Sequence, residues 1–392
     1  MTASGRRPAV LLLGAEETPA LPIIWSLAAR GVPITAGSHR RAATGLFSRH
    51  PRRRFLYPDP AAEPGRFVDA VLGVLRSEAH AVTLACGEEP TWLLSQHKAE
   101  LERHTSIPIV DPATFLHCRD KSLTMKAAAA CGVPTPITWY PEDDGIDAVA
   151  RDASYPAVLK PCISDGARGI SFPATPDDLR RAYEATRLRF GPCIVQERIP
   201  HDGMQFKAEF LLNRRSEVRL RGAYAKLRYY PPTGGSSTLN RTVHRPDLLR
   251  YGETLLTHLG WYGMGDCDFI LDPRDDVAKL MEVNPRFTRT IRVLVEAGLD
   301  YPYELYRLAL GEEPRDVSEY EPDVYLRYLP ADLVWFLRSP ERFRARPSFF
   351  RFIARRLRYE EWSLGDPLTG FGFWLSLLAD MASREERRKR LR

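Results

Sequence analysis

The stretch DCDFILDPRDDVAKLMEVNPRF, residues 266–287, constrains this chain more than any other segment. Two apolar runs flank a turn rich in Asp, Pro and Arg, which predicts an antiparallel hairpin with strands over 267–271 and 278–283. Glu282 and Asn284 stand two apart and share one face of the second strand. A turn centred on Asp275 sets Asp268 opposite Glu282, with Cβ atoms about 4.5–5.5 Å apart. Two carboxylates and an amide oxygen then converge on one spot. Bare, the carboxylates repel; one or two Mg²⁺ ions, completed by nucleotide phosphates, suit such hard oxygen donors. Asp268, Glu282 and Asn284 are therefore candidate metal ligands. Arg286 follows directly and can stabilise charge developing on a transferring phosphoryl group. The bland alternative leaves these acids in solvent beside a turn. It suits Asp272, Asp275 and Asp276, but Glu282 lies inside an apolar strand, where an unpaired charge is expensive.

The start of the chain reads as a parallel α/β unit. Residues 9–14 (AVLLLG) form a buried strand, a helical stretch follows up to Gly31, and a second strand begins at Val32. A helix over 66–79, a strand over 81–85 and a helix over 92–104 continue the alternation. The loop after the first strand, GAEETPA, lacks G-x-G-x-x-G, so dinucleotide binding by this half is poorly supported. Further on, the patterns predict a helix over 120–131, strands over 157–160 and 193–197 with a helix over 176–190 between them, strands over 206–212 and 218–227, and a helix over 247–259. YYPPTGGSST reads as a Pro/Gly loop, and the remainder after Pro330 as helical, basic and aromatic.

Composition narrows the function classes. With 392 residues, 44% hydrophobic and 27% charged, the chain has material for two or three globular domains rather than wholesale disorder. No run reaches the roughly 18 apolar residues of a membrane span. The apolar run near the N-terminus is too short for a signal peptide and is followed at once by Glu16 and Glu17, so a cytoplasmic protein is expected. Six scattered cysteines fit free thiols in a reducing compartment. The net charge of +6 is carried mostly by arginine, clustered at 40–54 and 351–358. No groove-reading or RNA-binding signature accompanies it, and a solvated surface rather than nucleic-acid binding is expected.

Two weaker elements accompany the hairpin. Lys160 ends an apolar strand just before a Gly/Ser loop containing Ser164, Gly166 and Gly169, whose backbone N–H groups can approach phosphates. Because the lysine precedes the glycines, this is not a P-loop. In IVQERIP, residues 194–200, Gln196 and Glu197 end a strand able to offer backbone groups to adenine and a carboxylate to a ribose or amine.

Taken in order, Asp120–Lys121, Lys160, the 164–169 loop, Gln196–Glu197, Asp268 and Glu282-x-Asn284-Pro285-Arg286 resemble the ATP-grasp superfamily. The segment AKLRYYPPTGGSST is similar to the K-L-R-x-x-P-P-x-x-G-T-G-S loop of the carboxylate–amine ligase branch that includes bacterial D-aspartate ligase. EAGLDYPYELYRLALGEEP, Ser48–Arg49 and Asp366–Pro367 extend the likeness over nearly the whole chain. Two segments depart from it: Thr288-Arg289-Thr290 replaces the usual W-G-S, and Leu239, Asn240 and Arg241 stand where relatives place an acid, which implies a changed substrate.

The resemblance implies an α/β (α+β ATP-grasp) fold divided into a pre-ATP-grasp Rossmann-like domain (1–118), a small lobe with the phosphate-binding loop (119–200), a large lobe with the metal site (201–330) and a helical C-terminal extension (331–392). It implies an ADP-forming ligase that joins a small-molecule carboxylate to an amine through an acyl phosphate, using ATP and Mg²⁺, with Mn²⁺ as a substitute. Lys121 and Lys160 match the phosphate-binding lysines; Ser164, Gly166 and Gly169 the lid; Gln196, Glu197 and Ile199 the adenine hinge; Asp202 or Gln205 the ribose contact. Arg286, Lys226 and Arg228 would hold the acyl phosphate or substrate carboxylate, with Tyr230, Ser236 and Ser237 beside the substrate. Solvated edge charges are the alternative for Lys226 and Arg228. A homodimer through the N-terminal domain is common in similar proteins. The competing function classes are a non-amine acceptor, a nucleotide-binding pseudoenzyme, and an anionic-surface binder using Arg351, Arg355, Arg356 and Arg358 with nearby aromatics. The same C-terminal residues equally describe a basic helix docked on its own domain, which is the favoured reading over peripheral membrane contact.

Overall fold

The computed structural model describes residues 7–164, 168–200, 204–231 and 235–382. Its first layer is four parallel strands, β1 (Val10–Leu13), β2 (Ile34–Ser38), β3 (Arg53–Leu56) and β4 (Val82–Ala85), in the order β3-β2-β1-β4. Parallel strands are covered on both faces, which is why β1 is an unbroken apolar run. Val10 and Leu12 enter one core cluster while Leu11 and Leu13 enter another, as the two-residue side-chain period requires.

A small antiparallel sheet follows, β5 (Thr138–Trp139), β6 (Ala157–Pro161) and β7 (Cys193–Glu197), in the order β5-β7-β6. The helices Ile146–Asp152 and Pro176–Phe190 cover it, burying Val149, Leu179 and Tyr183 against Leu159 and Val195. Pro176–Phe190 starts where Thr175 accepts from the Asp178 amide and ends at Gly191, so both of its boundaries were readable from sequence.

The largest element is a seven-stranded sheet built from β8 (Gln205–Leu212), β9 (Val218–Tyr230), β10 (Ser236–Val243), β11 (Gly263–Asp272), β12 (Val277–Asn284), β13 (Tyr325–Arg327) and β14 (Leu357–Tyr359), in the order β12-β11-β8-β9-β10-β13-β14. All its pairings are antiparallel except β13 with β14. Two expectations need correction. The loop YYPPTGGSST does not end the strand region; it connects β9 to β10, a strand the patterning did not announce. The C-terminal region is not uniformly helical: Leu329–Arg338 and Leu368–Ala382 are helices, but Leu357–Tyr359 adds an edge strand to the large sheet. The basic run at 351–358 is thus not a helix. Arg356 is paired with Glu321 at 2.6 Å and Arg358 with Glu296 at 2.8 Å, which docks it on its own fold.

Among the described residues no helix is long and apolar enough to cross a membrane. All six cysteines are free.

Candidate active site

One face of the large sheet is polar. The registers set Asp268 opposite both Glu282 and Lys207, Asp266 opposite both Asn284 and Glu209, and Lys226 opposite Gln205. A bulge between Asp268 and Phe269 leaves Met281 without a partner in the ladder and bends the hairpin beside Glu282.

The charges on this face are paired. Lys207 lies 2.6 Å from Asp268 and also contacts Asp266, while Lys226 donates to Asp268 at 2.5 Å. Burial pushes the Asp268 carboxyl up, but the two lysines outweigh it and hold it down to about 2. Asp266 goes the other way, raised to about 6 by burial against the pull of Lys207. Burial also raises Glu209, which accepts from the Tyr224 hydroxyl at 3.0 Å. Asn284 donates to Asp266 at 3.0 Å and to Asp268 at 3.3 Å, and its carbonyl oxygen accepts from Arg286 at 3.2 Å.

The small sheet and the helix Lys121–Ala130 supply the facing cations. Asp120 caps that helix by accepting from the amides of Ser122 and Leu123, which fixes Lys121 at its first turn. Lys121 Nζ donates to the Ser164 carbonyl at 2.9 Å and lies 3.8 Å from Glu282. Lys160 donates to Gln196 at 2.8 Å, and Gln196 in turn donates to Thr138 at 3.0 Å. Burial pushes the Lys160 ammonium down to about 8, with Glu282 opposing and Lys121 reinforcing. Glu197 accepts from the Ile137 amide at 3.0 Å and pairs with Arg274 at 2.6 Å, and the Leu280 amide donates to the Pro134 carbonyl at 2.8 Å. These contacts tie the small sheet to the β11–β12 hairpin.

Glu282 needs one correction. Its side chain is 39% exposed, so it faces open space rather than an apolar interior. Asp272 needs the opposite one: far from solvated, it is fully buried between Arg274 and Lys279, which hold its carboxyl well below the usual range. The β9 cations are not edge charges either. Lys226 and Arg228 lie on an inner strand, and Arg228 is buried, 2.8 Å from Asp332.

The remaining candidates sit around this centre. Gly169 has φ +77°, and a Cβ there would lie 2.7 Å from Pro161 Cγ, so glycine is required. Ile199 and Gln205 are buried beyond β7 and at the start of β8. Tyr230 and Ser236 pair across the β9–β10 hairpin, and the Ser237 carbonyl accepts from Arg289. Gly166 and Asp202 lie outside the described residues. Sequence reasoning missed Lys207, Asp266, Glu209, Lys279 and Asp332. Asp266 carried a signal, since it stands two before Asp268 and must share its face.

Among the described residues no three His, Cys, Asp or Glu side chains form a metal-holding cluster. An ion of the magnesium kind takes one or two carboxylates and completes its shell with water and phosphate oxygens. Asp268 faces Glu282 directly, and Glu282 has an ion pair only at 3.8 Å, which leaves its carboxylate accessible.

No family model matches the chain. Among curated proteins it is 22% identical over 252 residues to the C-terminal section of the carbamoyl phosphate synthase large chain of Methanopyrus kandleri, covering 59% of this chain and 46% of that one. It is 26% identical over 226 residues to the vancomycin/teicoplanin A-type resistance protein VanA of Enterococcus faecium, covering 52% and 65%. The chain thus spans about half to two thirds of the length of these relatives. Among solved structures, biotin carboxylase of Campylobacter jejuni in complex with β,γ-ATP superposes with a TM-score of 0.70 at 13% identity, over 82% of this chain and 75% of that one. The chain has the ATP-grasp fold. The L-amino acid ligase of Bacillus licheniformis matches with a TM-score of 0.62 at 16% identity, over 79% and 75%. In this ATP-grasp frame the described hairpin, the two lysines and the small sheet all border one region.

Proposed function

We propose that the chain is an ATP-dependent carboxylate–amine ligase, similar to the branch that includes bacterial D-aspartate ligase, forming an amide or peptide bond through an acyl phosphate with release of ADP and phosphate. The observation that carries this reading is the meeting of Lys121 and Lys160 with Glu282 across the junction of the two sheets. Two desolvated cations opposite a carboxylate pair suit a polyphosphate with a divalent ion between. Similarity in fold to an L-amino acid ligase supports a ligase reading.

Each residue then has a role. Lys121 and Lys160 hold phosphate oxygens, and Ser164 and Gly169 belong to the segment that would cover them. Gln196 orients Lys160, and the β7 end that carries Glu197 and Ile199 receives the adenine. Asp268, Glu282 and Asn284 would hold Mg²⁺, which supplies charge neutralisation between the phosphates. Arg286, anchored on the Asn284 carbonyl, faces the transferring phosphoryl group; Lys226 keeps Asp268 ionised. The hairpin end at Tyr230, Ser236 and Ser237 borders the substrates. On this reading the protein acts in the cytoplasm on small molecules.

The test is Mg²⁺-dependent nucleotide release with a matrix of carboxylates and amines, using Glu282→Ala as control. ADP and phosphate appearing only with a particular acid–amine pair support the proposal; release of AMP, or normal ADP production by a folded Glu282→Ala protein, overturns it.

A further inference from the structure

The C-terminal region carries a surface that the proposed chemistry does not use. From Arg338 to Arg358 the chain has eight arginines, no lysine and one carboxylate, Glu341. Phenylalanines are interleaved with the arginines, and the segment 339–356 is neither helix nor strand. It is nonetheless fastened to the large sheet. Buried Arg228 of β9 donates to the Pro347 carbonyl at 3.0 Å, and buried Arg327 of β13 donates to the Arg351 carbonyl at 3.4 Å. Phe336 and Phe349 stack with ring centres 4.3 Å apart, and Phe343, Phe350 and Phe352 pack edge-on around them.

This aromatic cluster is open on one side. Phe343 is 74% exposed, and Phe350 and Phe352 also face solvent. Leu333 and Leu337 share a face of the helix Leu329–Arg338 with Phe336 and are exposed too. Ile353, next to Phe352, is 94% exposed. Exposed apolar side chains scattered singly need no explanation, but a contiguous patch rimmed by charge marks an interaction surface.

The arginines decide what covers it. Arg356 and Arg358 have carboxylate partners in Glu321 and Glu296. Arg338, Arg344, Arg346 and Arg355 are exposed, and their side chains have neither an ion pair nor a hydrogen bond among the described residues. They border the apolar patch: Arg338 follows Leu337, Arg344 follows Phe343, and Arg355 stands two beyond Ile353. Residues 383–392 do not supply the missing acids, since six basic residues there outnumber Glu385 and Glu386. A second copy of the chain fits poorly, because a two-fold contact sets a surface against itself and would press arginine against arginine. The element that lies in a lipid surface is a helix with one apolar and one basic face, and the basic segment here is not helical. Single-stranded nucleic acid stacks on aromatic platforms, and Leu333, Leu337 and Ile353 offer no such face. A polypeptide answers both halves, with carboxylates for the guanidinium forks and apolar side chains for the cluster; arginine and aromatic residues are enriched, and lysine depleted, where proteins meet.

We propose that the exposed face of the helix Leu329–Arg338 and the segment 339–356 together dock an acidic protein partner. Its carboxylates meet Arg338, Arg344, Arg346 and Arg355, and its apolar side chains cover the phenylalanine cluster and Ile353. Docking there requires no particular ligase substrate.

The test is fluorescence anisotropy of the full chain with a labelled peptide of repeating Glu-Glu-Leu-Phe, with peptides repeating Glu-Glu-Gly-Ser and Lys-Lys-Leu-Phe as comparators. The acidic apolar peptide should bind at least tenfold tighter than either comparator, and its affinity should fall as salt is added. Arg344→Gln/Arg346→Gln/Arg355→Gln should lose at least tenfold in affinity. Leu337→Gln/Ile353→Gln, which alters only exposed apolar side chains, should do so independently. Both proteins should keep the parent's unfolding midpoint and bind a non-hydrolysable ATP analogue normally. Arg66→Gln/Arg76→Gln/Arg103→Gln removes the same charge from another exposed surface and should bind the peptide as the parent does. Equal binding of either comparator, binding undiminished in either variant, or an equal loss in the control overturns the docking surface. So does variant-sensitive binding of polyuridylate or of phosphatidylglycerol vesicles in place of the peptide, or a dimer in light scattering that the variants dissolve, since these outcomes assign the surface to nucleic acid, lipid or a second copy.

Discussion

Replacing Asp332 by Asn tests how the β9 cations are held. Asp332 is fully buried, and its carboxylate lies 2.8 Å from Arg228, 2.6 Å from Arg327 and 2.9 Å from the Thr238 hydroxyl. Arg228 is 4% exposed and Arg327 1%, with Trp335 beside the first and Phe349 beside the second. Removing the negative charge leaves two guanidinium groups in one buried site with only a neutral amide between them. Breaking a buried pair by deleting one partner costs about 3–5 kcal/mol, because the remaining charge stays desolvated. Here two cations are stranded, so the upper part of that range is expected. With a urea slope of about 3 kcal/mol/M the unfolding midpoint should fall by roughly 1–2 M. The assay is urea unfolding followed by tryptophan fluorescence and far-ultraviolet circular dichroism together. A control replaces all three groups, as Arg228→Met, Arg327→Met and Asp332→Leu, and should recover much of the loss, since an apolar substitute for a buried ionic cluster is often tolerated. A loss below about 1 kcal/mol from Asp332→Asn, or a control as unstable as the single variant, would refute the clamp. So would an Arg228→Met protein of unchanged stability with a raised KM for the carboxylate, because Arg228 would then be spending its charge on substrate.

Other perturbations separate the roles around the junction of the sheets. Glu282→Gln should abolish ADP formation while leaving the unfolding free energy within about 0.5 kcal/mol of the parent, since the side chain is half-open to solvent and its ion pair is long. Lys160 is charged below about 8 and neutral above it, so nucleotide affinity measured by titration should decline as pH rises through 8, and Lys160→Met should both weaken binding and remove that slope. Lys207→Met strands Asp266 beside an Asp268 that keeps only Lys226; a loss of several kcal/mol is expected in urea unfolding, and it should shrink at acid pH, where Asp266 takes up a proton. Vesicles of anionic lipid should not sediment the protein in a salt-sensitive manner, because Arg356 and Arg358 already have carboxylate partners.

Much of the fold was legible because its signals are local. The helix Pro176–Phe190 and strand Cys193–Glu197 follow from a cap, a glycine stop and an apolar run, all within a few residues. β10 gave no such signal: its buried positions include Ser237, Thr238, Asn240 and Thr242, so a strand enclosed by the sheet reads as a polar loop. β14 is three residues long, and its partner β13 lies thirty residues earlier, beyond the reach of any local pattern.

The site divides along the same line. The facing of Asp268 and Glu282 was readable because a hairpin fixes its own register through its turn. Which cations neutralise Asp268 was not, since that depends on β8 lying beside β11, a pairing across more than fifty residues of chain. Yet period two alone puts Asp266 on the face of Asp268, and two buried acids on one face demand compensation. Of the chain's eight lysines, one lies in FKAEF and one in AKLR. The structure brings both to Asp268. Glu197 shows the limit of the argument: its partners Arg274 and Lys279 sit on the hairpin, in and just after a turn whose acids look solvated until the small sheet is docked against it.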